Sequence, residues 1–582
     1  MRQQYASRSQ VLALAMGLIA VMVIVQMIRI QYSEEAAIFR EQASNYAYEL
    51  RTFYPDRGEI YDRSGHLLAG NKTVYEVGVN LGTVTDPNAI ATAVSVELGL
   101  NYATVMQDIQ NPPESLSYLV LADFVDADQA AYLMELKRAL QEQAPEGSLG
   151  GLTGLEFKSH PQRSYPEGSL ASNVLGFVNR EGLGYFGIEE KYDTLLAGNP
   201  VKVLITTDPN KAFEIPRVPD GTTLVLTIQR DLQAAAEQIL DEALYTYGAQ
   251  GGTIIVMDPG NGEILAMAVT PRMDLNQFWN YGMIYTNASE FNRAISYPYE
   301  PGSVFKILTM AAALDSGTVT PNTTYLDTGS ILVGGATIQN WDLEPWGLQD
   351  MTGCLQHSLN VCLAMVSTKM GASTFYGYMD NFGMGHLTGV DLAGEAAGRL
   401  KIPVDADWYP VDLGTNAFGQ GVAVTPIQIM MAASSIANNG RTVTPHTLLA
   451  MVRDGRQYNV PAQFAGSPIS EETANTLTGM LAYSLESESS LALVPGYRVA
   501  GKTGTAQIPV NGFYDFNQTN ASFIGWGPVD DPQFMIFVWL ERPSASIWGS
   551  ETAAPVFSQM AQKSVVLLDI PPDSVRQQIA AR

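Results

Sequence analysis

The chain has little of what metal chemistry needs. Its 582 residues include two cysteines and five histidines. The histidines show no H-E-x-x-H or Cys/His ligand spacing, and two cysteines are too few for a disulfide framework. The sequence therefore predicts no metal site.

Positive charge is also scarce, since 33 lysines and arginines stand against 59 acidic residues, for a net charge of −26. Such a chain should repel nucleic acid, and no basic patch offsets this. No nucleic-acid partner is expected. The length predicts more than one domain.

A nucleotide-binding signal is present only in a weak form. Residues 182–187 read G-L-G-Y-F-G, which fits G-x-G-x-x-G. No clear apolar strand leads into this stretch, and no repeating βαβ pattern surrounds it. We interpret these residues as turn glycines and expect no cofactor.

The two cysteines are Cys354 and Cys362. On one continuous helix they would lie about 12 Å apart at 1.5 Å per residue, too far for a disulfide. A break between two helices would bring them closer. The sequence favours two buried free thiols that pack as small apolar groups.

Long apolar runs are confined to the N-terminus, where Val11–Ile28 contains Gln26 as its one strongly polar residue. This length is near the lower limit for a membrane-spanning helix. A signal peptide is the alternative, but the run is long for one and no A-x-A cleavage site follows. We predict a cytoplasmic segment over 1–10 and a transmembrane helix over 11–30.

Charges around this run predict its orientation. Arg2 and Arg8 precede it, whereas Glu34 and Glu35 follow it, although Arg29 reduces the contrast. The positive-inside rule favours a cytoplasmic N-terminus. Nearly all of the protein is then expected outside the membrane.

The remainder divides by composition. A polar, helix-like stalk is followed by short alternating stretches and, between 86 and 145, by helical periodicity. The character changes near 216–222. We expect a stalk and pedestal domain over 31–215, a second domain over 216–570 and a flexible tail over 571–582.

The second domain has strand signals at both ends. GTIIVMD and EILAMAV flank the turn PGNG, and ASFIGWG and QFMIFVWLER flank PVDDP, so each pair predicts a hairpin. Helical stretches fill the sequence between them. This favours an antiparallel sheet completed by both ends of the domain, with helices on its faces. Trp526 and Trp539 lie on these strands and are interpreted as core.

Three short motifs occur once each, in the order Ser-x-x-Lys at Ser303–Lys306, Ser-x-Asn at Ser358–Asn360 and Lys-Thr-Gly at Lys502–Gly504. Each is weak alone, but the ordered trio is hard to obtain by chance. Together they supply hydroxyls, amines and an amide, the groups needed for acyl transfer through a serine with a lysine base.

The first motif also has helical geometry in its favour. Ser303 follows Pro301-Gly302, which signals a helix start, and Lys306 projects from the same face three residues on. An ordinary lysine pKa near 10.4 makes a poor base. Burial and the charge of Lys502 are expected to lower it.

With these motifs in place, the chain resembles the class B penicillin-binding proteins, the monofunctional transpeptidases of bacterial cell-wall synthesis. The resemblance covers nearly the whole chain. In the pedestal it rests on Arg57-Gly58-x-Ile60-x-Asp62-Arg63-x-Gly65, Arg163-x-Tyr165-Pro166-x-Gly168 and Gly187-Ile188-Glu189-Glu190-x-Tyr192-Asp193. In the second domain it rests on Asn292-Arg293-Ala294, Glu300-Pro301-Gly302-Ser303, Phe418-Gly419-Gln420-Gly421 with Val424-Thr425-Pro426, Ala500-Gly501-Lys502-Thr503-Gly504-Thr505-Ala506 and Ala553-Ala554-Pro555-Val556-Phe557.

The resemblance implies an α+β fold with an N-terminal transmembrane helix, an elongated pedestal domain and a penicilloyl-serine transferase domain whose mainly antiparallel sheet is covered by helices. It implies a peptidoglycan D,D-transpeptidase of the bacterial cell membrane. Such an enzyme takes a D-Ala-D-Ala stem peptide as donor and an amine as acceptor, through an acyl-enzyme on Ser303. Penicillin and other β-lactams would acylate the same serine.

The resemblance also assigns roles to the remaining site residues. Lys306 acts as base, Ser358 relays the proton to the leaving D-Ala, and Asn360 orients Lys306 and holds the substrate amide. The residues that hold the terminal carboxylate or let the substrate approach closely are Lys502, Thr503, Gly504 and Thr505. The backbone N–H groups of Ser303 and Thr505 form the oxyanion hole.

Other readings stay open at this point. The forms of the motifs favour the septal type of transpeptidase, and an elongation-type transpeptidase is the alternative. The same fold also serves D,D-carboxypeptidases and β-lactam sensors, and an inactive scaffold is the non-enzymatic alternative. A glycosyltransferase domain is rejected because the region before the second domain matches the pedestal. The partners implied are a SEDS-family glycosyltransferase and other proteins of the cell-wall complex.

Overall fold

The computed structural model describes residues 2–33, 36, 38, 48–113, 116–145, 149–206, 218–510 and 513–580. The chain forms two compact units, Met1–Asp56 with Gly198–Asp220, and Arg57–Ala197 with Gly221–Arg582. Three features of the sequence predictions lie outside the described residues: Glu34 with Glu35, the domain boundary at 215/216, and the last two residues of the tail.

The helices, in chain order, are α1 (Arg2–Gln31), α2 (Pro87–Leu98), α3 (Tyr102–Gln110), α4 (Ala127–Glu142), α5 (Ser172–Leu175), α6 (Gly187–Lys191), α7 (Asp193–Ala197), α8 (Arg230–Tyr247), α9 (Tyr281–Ile284), α10 (Arg293–Ser296), α11 (Lys306–Asp315), α12 (Met351–Gln356), α13 (Asn360–Met370), α14 (Ala372–Asn381), α15 (Asp412–Asn416), α16 (Pro426–Ala437), α17 (Glu471–Ser487), α18 (Ala553–Leu567) and α19 (Asp573–Ala580). Short 3₁₀ helices cover Leu275–Asn280, Ala288–Glu290 and Gly302–Phe305.

The strands are β1 (Tyr48–Phe53), β2 (Ile60–Tyr61), β3 (Leu67–Asn80), β4 (Tyr118–Asp126), β5 (Leu155–Ser164), β6 (Phe177–Val178), β7 (Gly184–Tyr185), β8 (Val201–Thr206), β9 (Thr223–Leu226), β10 (Gly251–Met257), β11 (Ile264–Val269), β12 (Tyr325–Asp327), β13 (Ser330–Val333), β14 (Ala336–Gln339), β15 (Gly347–Gln349), β16 (Arg399–Leu400), β17 (Val422–Ala423), β18 (Thr442–Val443), β19 (Leu448–Arg453), β20 (Arg456–Asn459), β21 (Phe464–Gly466), β22 (Ala500–Val510), β23 (Phe513–Gly527) and β24 (Phe534–Glu541).

The first unit contains α1 and the antiparallel pair β1–β8. Within α1, Val11–Gln31 is long and apolar enough to cross a membrane, and none of it is buried inside the protein. A helix that is apolar all round and uncovered by protein requires an apolar solvent. This agrees with the predicted membrane helix, while its orientation stays a prediction.

In the second unit, a seven-stranded sheet has the order β20-β19-β9-β2-β3-β4, with β5 also paired to β3. The long strand β3 joins these elements, and its alternate residues Val77 and Val79 are buried against Ile90 and Val94 of α2. The sequence predicted short alternating stretches for this region, whereas β3 has runs of three buried residues, because it pairs with β4 and β5 and is covered by α2.

Three motifs that carried the resemblance meet inside this region. The Glu189 side chain is fully buried, and its carboxylate accepts from Arg57 Nε at 2.8 Å and Arg163 Nε at 2.7 Å. The Tyr165 hydroxyl donates to the same carboxylate at 3.3 Å. A buried carboxylate is tolerated here because two guanidinium groups compensate its charge.

A five-stranded antiparallel sheet has the order β11-β10-β24-β23-β22. Both predicted hairpins are confirmed, as β10–β11 and β23–β24. β24 pairs with β10 as well as β23, so the two ends of the domain complete one sheet, as predicted. β22 has one neighbour and forms an edge of the sheet.

Helices cover both faces of this sheet. Ile254 and Val538 pack with α8 and α18 in one apolar cluster, whereas the alternate residues Ile255 and Phe537 pack in another with α11 and α16. Trp526 and Trp539 are 0% and 1% exposed, which confirms them as core. Together these elements give the α+β architecture that the sequence predicted.

The end of the chain differs from the prediction of a flexible tail over 571–582. Asp573–Ala580 forms α19. The Asp573 backbone N–H donates to Gly496 O at 3.0 Å, and Arg576 pairs with both Asp530 and Asp573. These ion pairs hold the polar helix α19 in place. Asp530 is distant in sequence, so the local sequence did not predict this contact.

Candidate active site

The turn that carries Ser303 lies directly against the edge strand. Gly302–Phe305 forms a 3₁₀ turn that continues into α11. Gly302 has φ +56°, and a Cβ there would lie 3.1 Å from the Thr505 carbonyl oxygen. A glycine is needed for both reasons. Ser303 is thereby placed, half-buried, beside β22.

Gly504 provides the matching surface on β22. A Cβ at Gly504 would lie 2.9 Å from Val304 Cγ1 and 2.3 Å from Ser522 Oγ. The strand glycine thus marks a close approach between the strand and the nucleophile turn. The family resemblance implies that this glycine makes room for substrate, and the contact shows that it also makes room for the protein's own turn.

Lys306 is fully buried and holds the second motif in place. Its Nζ donates to Ser358 O at 2.5 Å, Ser358 Oγ at 3.1 Å and Asn360 Oδ1 at 2.8 Å. All three acceptors are neutral. Burial, and then the charge of Lys502, lower the pKa of Lys306 well below its usual value. The shift favours the neutral amine that a general base requires.

The segment between α12 and α13 is a sharp break at Ser358, which has φ +54°. Few non-glycine residues adopt this backbone region, and the break turns Ser358 O and Oγ toward Lys306. Asn360, the first residue of α13, donates from Nδ2 to Gln339 O at 3.2 Å. Asn360 thus ties the start of α13 to β14.

The prediction of two free thiols is wrong. Cys354 and Cys362 form a disulfide, with their Cα atoms 6.1 Å apart. The break at Ser358 removes the helical rise that would have separated them, as the alternative of two helices allowed. The disulfide closes a short loop around the Ser-x-Asn motif.

Lys502 lies on β22 and is 5% exposed. Its Nζ lies 3.2 Å from Thr503 Oγ1 and 3.3 Å from Thr503 O, and it makes no ion pair with any residue in the described ranges. Burial lowers the pKa of Lys502 to about 8, against an opposing effect of Glu488. Lys502 is thus a buried cation near Lys306 without a paired acid.

The structure brings the predicted residues to one cleft. Lys306 joins Ser358 and Asn360 by hydrogen bonds, and Lys502 acts on Lys306 through its charge. Ser303 is held against β22, which carries Lys502, Thr503, Gly504 and Thr505. Their individual roles stay predictions.

Sequence reasoning missed an aromatic pair that bridges the two walls of this cleft. Trp341 donates from Nε1 to His357 O at 3.1 Å, on the Ser-x-Asn side. Trp548 precedes Gly549, whose N–H donates to Thr505 Oγ1 at 3.0 Å. The two indole rings meet edge to face at 5.2 Å. No short motif could have joined residues so far apart in sequence.

Sequence reasoning also assigned no role to Glu300, although it begins the Glu-Pro-Gly-Ser motif. Its carboxylate accepts from the Gly421 N–H at 3.0 Å and from the Tyr514 hydroxyl at 3.1 Å. Burial raises the pKa of Glu300. Glu300 ties two neighbouring segments to the start of the nucleophile turn, and its place three residues before Ser303 was the available signal.

Comparison with known proteins identifies the family of the chain. Residues 252–562 match the penicillin-binding protein transpeptidase domain, and residues 52–216 match the penicillin-binding protein dimerisation domain. Stage V sporulation protein D of Bacillus subtilis is 33% identical over 541 residues, covering 89% of this chain and 79% of that protein. Peptidoglycan D,D-transpeptidase FtsI of Escherichia coli is 28% identical, covering 89% and 85%.

Solved structures show the same fold. Penicillin-binding protein 3 of Mycobacterium tuberculosis, complexed with aztreonam, superposes with a TM-score of 0.68 at 26% identity, covering 90% of this chain and 98% of that one.

Proposed function

Because the chain belongs to the class B penicillin-binding protein transpeptidases, we propose that its cleft cross-links peptidoglycan stem peptides through an acyl-enzyme on Ser303. The observation that carries the mechanism is the fully buried Lys306, which lies near the cation of Lys502 and has no acidic partner among the described residues. Such surroundings favour an uncharged amine one helical turn from the nucleophile.

In the acylation step, Lys306 takes the Ser303 proton as Oγ attacks the carbonyl of the penultimate D-Ala. The backbone N–H groups of Ser303 and Thr505 stabilise the oxyanion. Collapse of the intermediate breaks the peptide C–N bond. The proton passes through Ser358 to the nitrogen of the departing D-Ala, and Ser303 keeps the acyl group as an ester.

The edge strand orients the donor. Lys502, Thr503 and Thr505 hold the terminal carboxylate, and Asn360 holds the amide beside the scissile bond. Deacylation by an amine from a second stem peptide forms the cross-link and restores the Ser303 hydroxyl. A β-lactam enters the same path because its strained amide presents a carbonyl and a carboxylate in a similar arrangement.

Peptide mapping after penicillin treatment tests the nucleophile. We expect one adduct per chain, on the peptide that contains Ser303, because Ser303 lies one helical turn before the buried Lys306 and its turn packs against the edge strand β22. The measurement is tandem mass spectrometry of the digested full chain. An adduct on Ser358 or another serine, with Ser303 unmodified, would contradict the mechanism.

We further propose the division and sporulation branch of the family. The Bacillus subtilis relative is named for a stage of sporulation, and the Glu-Pro-Gly-Ser and Lys-Thr-Gly-Thr forms fit the same branch.

Mass analysis of the products made with an added acceptor amine separates a transpeptidase, which forms the cross-link, from a carboxypeptidase, which hydrolyses the acyl-enzyme.

At the membrane, we propose a cytoplasmic N-terminus and a partner of the SEDS glycosyltransferase family, which supplies the glycan strands. Support comes from small residues on α1, where Ala13, Ala15, Gly17 and Ala20 permit close helix packing.

Replacing Val11–Ile28 by an unrelated apolar helix tests this partnership. We expect the hybrid to lose co-purification with the polymerase, because the lipid-buried contact is removed while anchoring is kept. Penicillin labelling of the same hybrid controls for folding. Unchanged co-purification, with normal labelling, would make the helix a bare anchor.

A further inference from the structure

His357 directly precedes Ser358, and no step of the proposed mechanism uses it. Its imidazole stacks on the indole of Trp346, with the ring centroids 4.3 Å apart and the planes 22° from parallel. Its Nδ1 lies 3.4 Å from Glu488 Oε1, just after α17. Its carbonyl oxygen accepts from Trp341 Nε1 at 3.1 Å. Both the side chain and the main chain of His357 are therefore held.

The two tryptophans belong to one loop, 340–346, which joins β14 to β15 and is itself anchored. Asn340 at its start is 2% exposed. The Asn340 side chain accepts from the Val361 N–H at 3.2 Å and donates to both carboxylate oxygens of Asp327 at 3.0 Å. The loop thus contacts the chain on both sides of the break, at His357 before it and at Val361 after it.

The contacts at His357 act on the peptide unit that it shares with Ser358. The His357 C=O and the Ser358 N–H lie in one plane. Trp341 holds the oxygen of this unit, and Leu355 O accepts from its N–H at 3.2 Å. The φ of Ser358, +54°, is the rotation between this plane and the rest of the residue. A non-glycine residue keeps such a conformation only where surrounding contacts determine it.

The conformation of Ser358 in turn determines two of the contacts of Lys306. Lys306 Nζ donates to Ser358 O at 2.5 Å and to Ser358 Oγ at 3.1 Å. A rotation of the shared peptide unit would move both oxygens. The disulfide does not prevent this rotation, because it joins Cys354 and Cys362, eight positions apart, and leaves the peptide units between them free to turn.

We infer that His357 is a positioning residue, which acts through Ser358 on the base and on the proton relay. The inference rests on the proposed roles of Ser358 and Lys306. The stack on Trp346 and the hydrogen bond from Trp341 carry the effect. The Glu488 carboxylate is 45% exposed, and an ion pair in such a position contributes little.

The test separates binding from chemistry in the acylation of the full chain in detergent. Stopped-flow measurements with a fluorescent penicillin at several concentrations give the dissociation constant of the non-covalent complex and the rate constant of acylation. For His357→Ala we expect the rate constant to fall roughly ten- to hundredfold, in the range that a small misplacement of catalytic groups costs. The dissociation constant should stay near its wild-type value, because the residues of β22 that hold the carboxylate are unchanged.

Matched variants identify the contact that matters. His357→Phe keeps a ring for Trp346 and should recover most of the rate constant. Trp341→Phe removes the N–H that holds His357 O but keeps a ring, and should lower the rate constant as His357→Ala does. The double variant should lose less than the two single losses combined, because both residues act on one peptide unit.

His386→Ala is the control, since it removes an exposed histidine that pairs with Asp380 instead. Both constants should keep their wild-type values in this variant.

A wild-type rate constant in either His357→Ala or Trp341→Phe would overturn the inference. A loss confined to the dissociation constant would overturn it too, as would a His357→Phe variant as slow as His357→Ala. If His357→Ala binds no penicillin at all, Trp341→Phe decides the question. These outcomes leave the proposed function intact, because peptide mapping of the wild-type adduct tests Ser303 separately. A wild-type adduct on another serine would overturn both.

Discussion

Replacing Lys306 with methionine is expected to slow acylation of Ser303 by penicillin by roughly 10²–10⁴-fold, the usual contribution of a positioned general base. Methionine fills a similar volume in a fully buried position but carries no group that accepts the serine proton. The rate at saturating fluorescent penicillin is the measurement, because the defect lies in the chemical step. A wild-type rate in Lys306→Met would assign the base to another residue.

Lys502→Arg is the matched control, since it alters the other buried amine but keeps a positive charge. We expect Lys502→Arg to be acylated in part, with weaker binding of penicillin.

The pKa of Lys502 is about 8, so wild-type acylation should fall above about pH 8 as the charge that holds the carboxylate is lost. In Lys502→Arg this alkaline limb should move to higher pH. At the acid limb, protonation of Lys306 reduces the rate, and its lowered pKa places that limb below the range of an ordinary lysine.

Replacing Glu189 with alanine is expected to lower the free energy of unfolding by about 3–5 kcal/mol, the usual cost of removing one partner from a buried ion pair. Arg57 and Arg163 have side-chain exposures of 9% and 2%; Arg163 would lose the carboxylate that neutralises it, whereas Arg57 would keep its ion pair with Asp193 at 2.8 Å. The midpoint of urea unfolding of the full chain in detergent is the measurement.

Glu181→Ala is the control for this change, because Glu181 is an exposed glutamate in the same region. It should shift the midpoint by far less, in line with surface substitutions of about ±0.5 kcal/mol. If the two variants shift the unfolding midpoint by equally small amounts, water must solvate the guanidinium groups of Arg57 and Arg163 once the Glu189 carboxylate is removed.

The sequence predicted those parts of the site that local chemistry determines. A Pro-Gly before Ser303 signalled the turn, and three residues of helix placed Lys306 on its face. Apolar alternation around Pro/Gly/Asn turns predicted both hairpins, because a strand pairs with its neighbour across a short turn. Ordered motifs predicted the rest of the cleft by resemblance.

What the sequence could not predict depends on distant contacts or on one unusual backbone angle. The positive φ of Ser358 breaks the helix and allows the disulfide. A serine in the sequence does not predict that backbone conformation. Arg576 orders the last helix through Asp530, a partner beyond local reach. Trp341 and Trp548 meet only because the fold brings their segments together.

The strand order of the five-stranded sheet has a consequence for the synthesis of the protein. β10 and β11 are synthesised first, and β24, which lies between β10 and β23, is completed only at Glu541. During synthesis, a chain that already contains all three motifs still lacks the strand that joins the two halves of this sheet. Such long-range pairing forms late, because loop closure must precede it. Acyl-transfer chemistry is therefore withheld from the nascent chain until synthesis has passed Glu541.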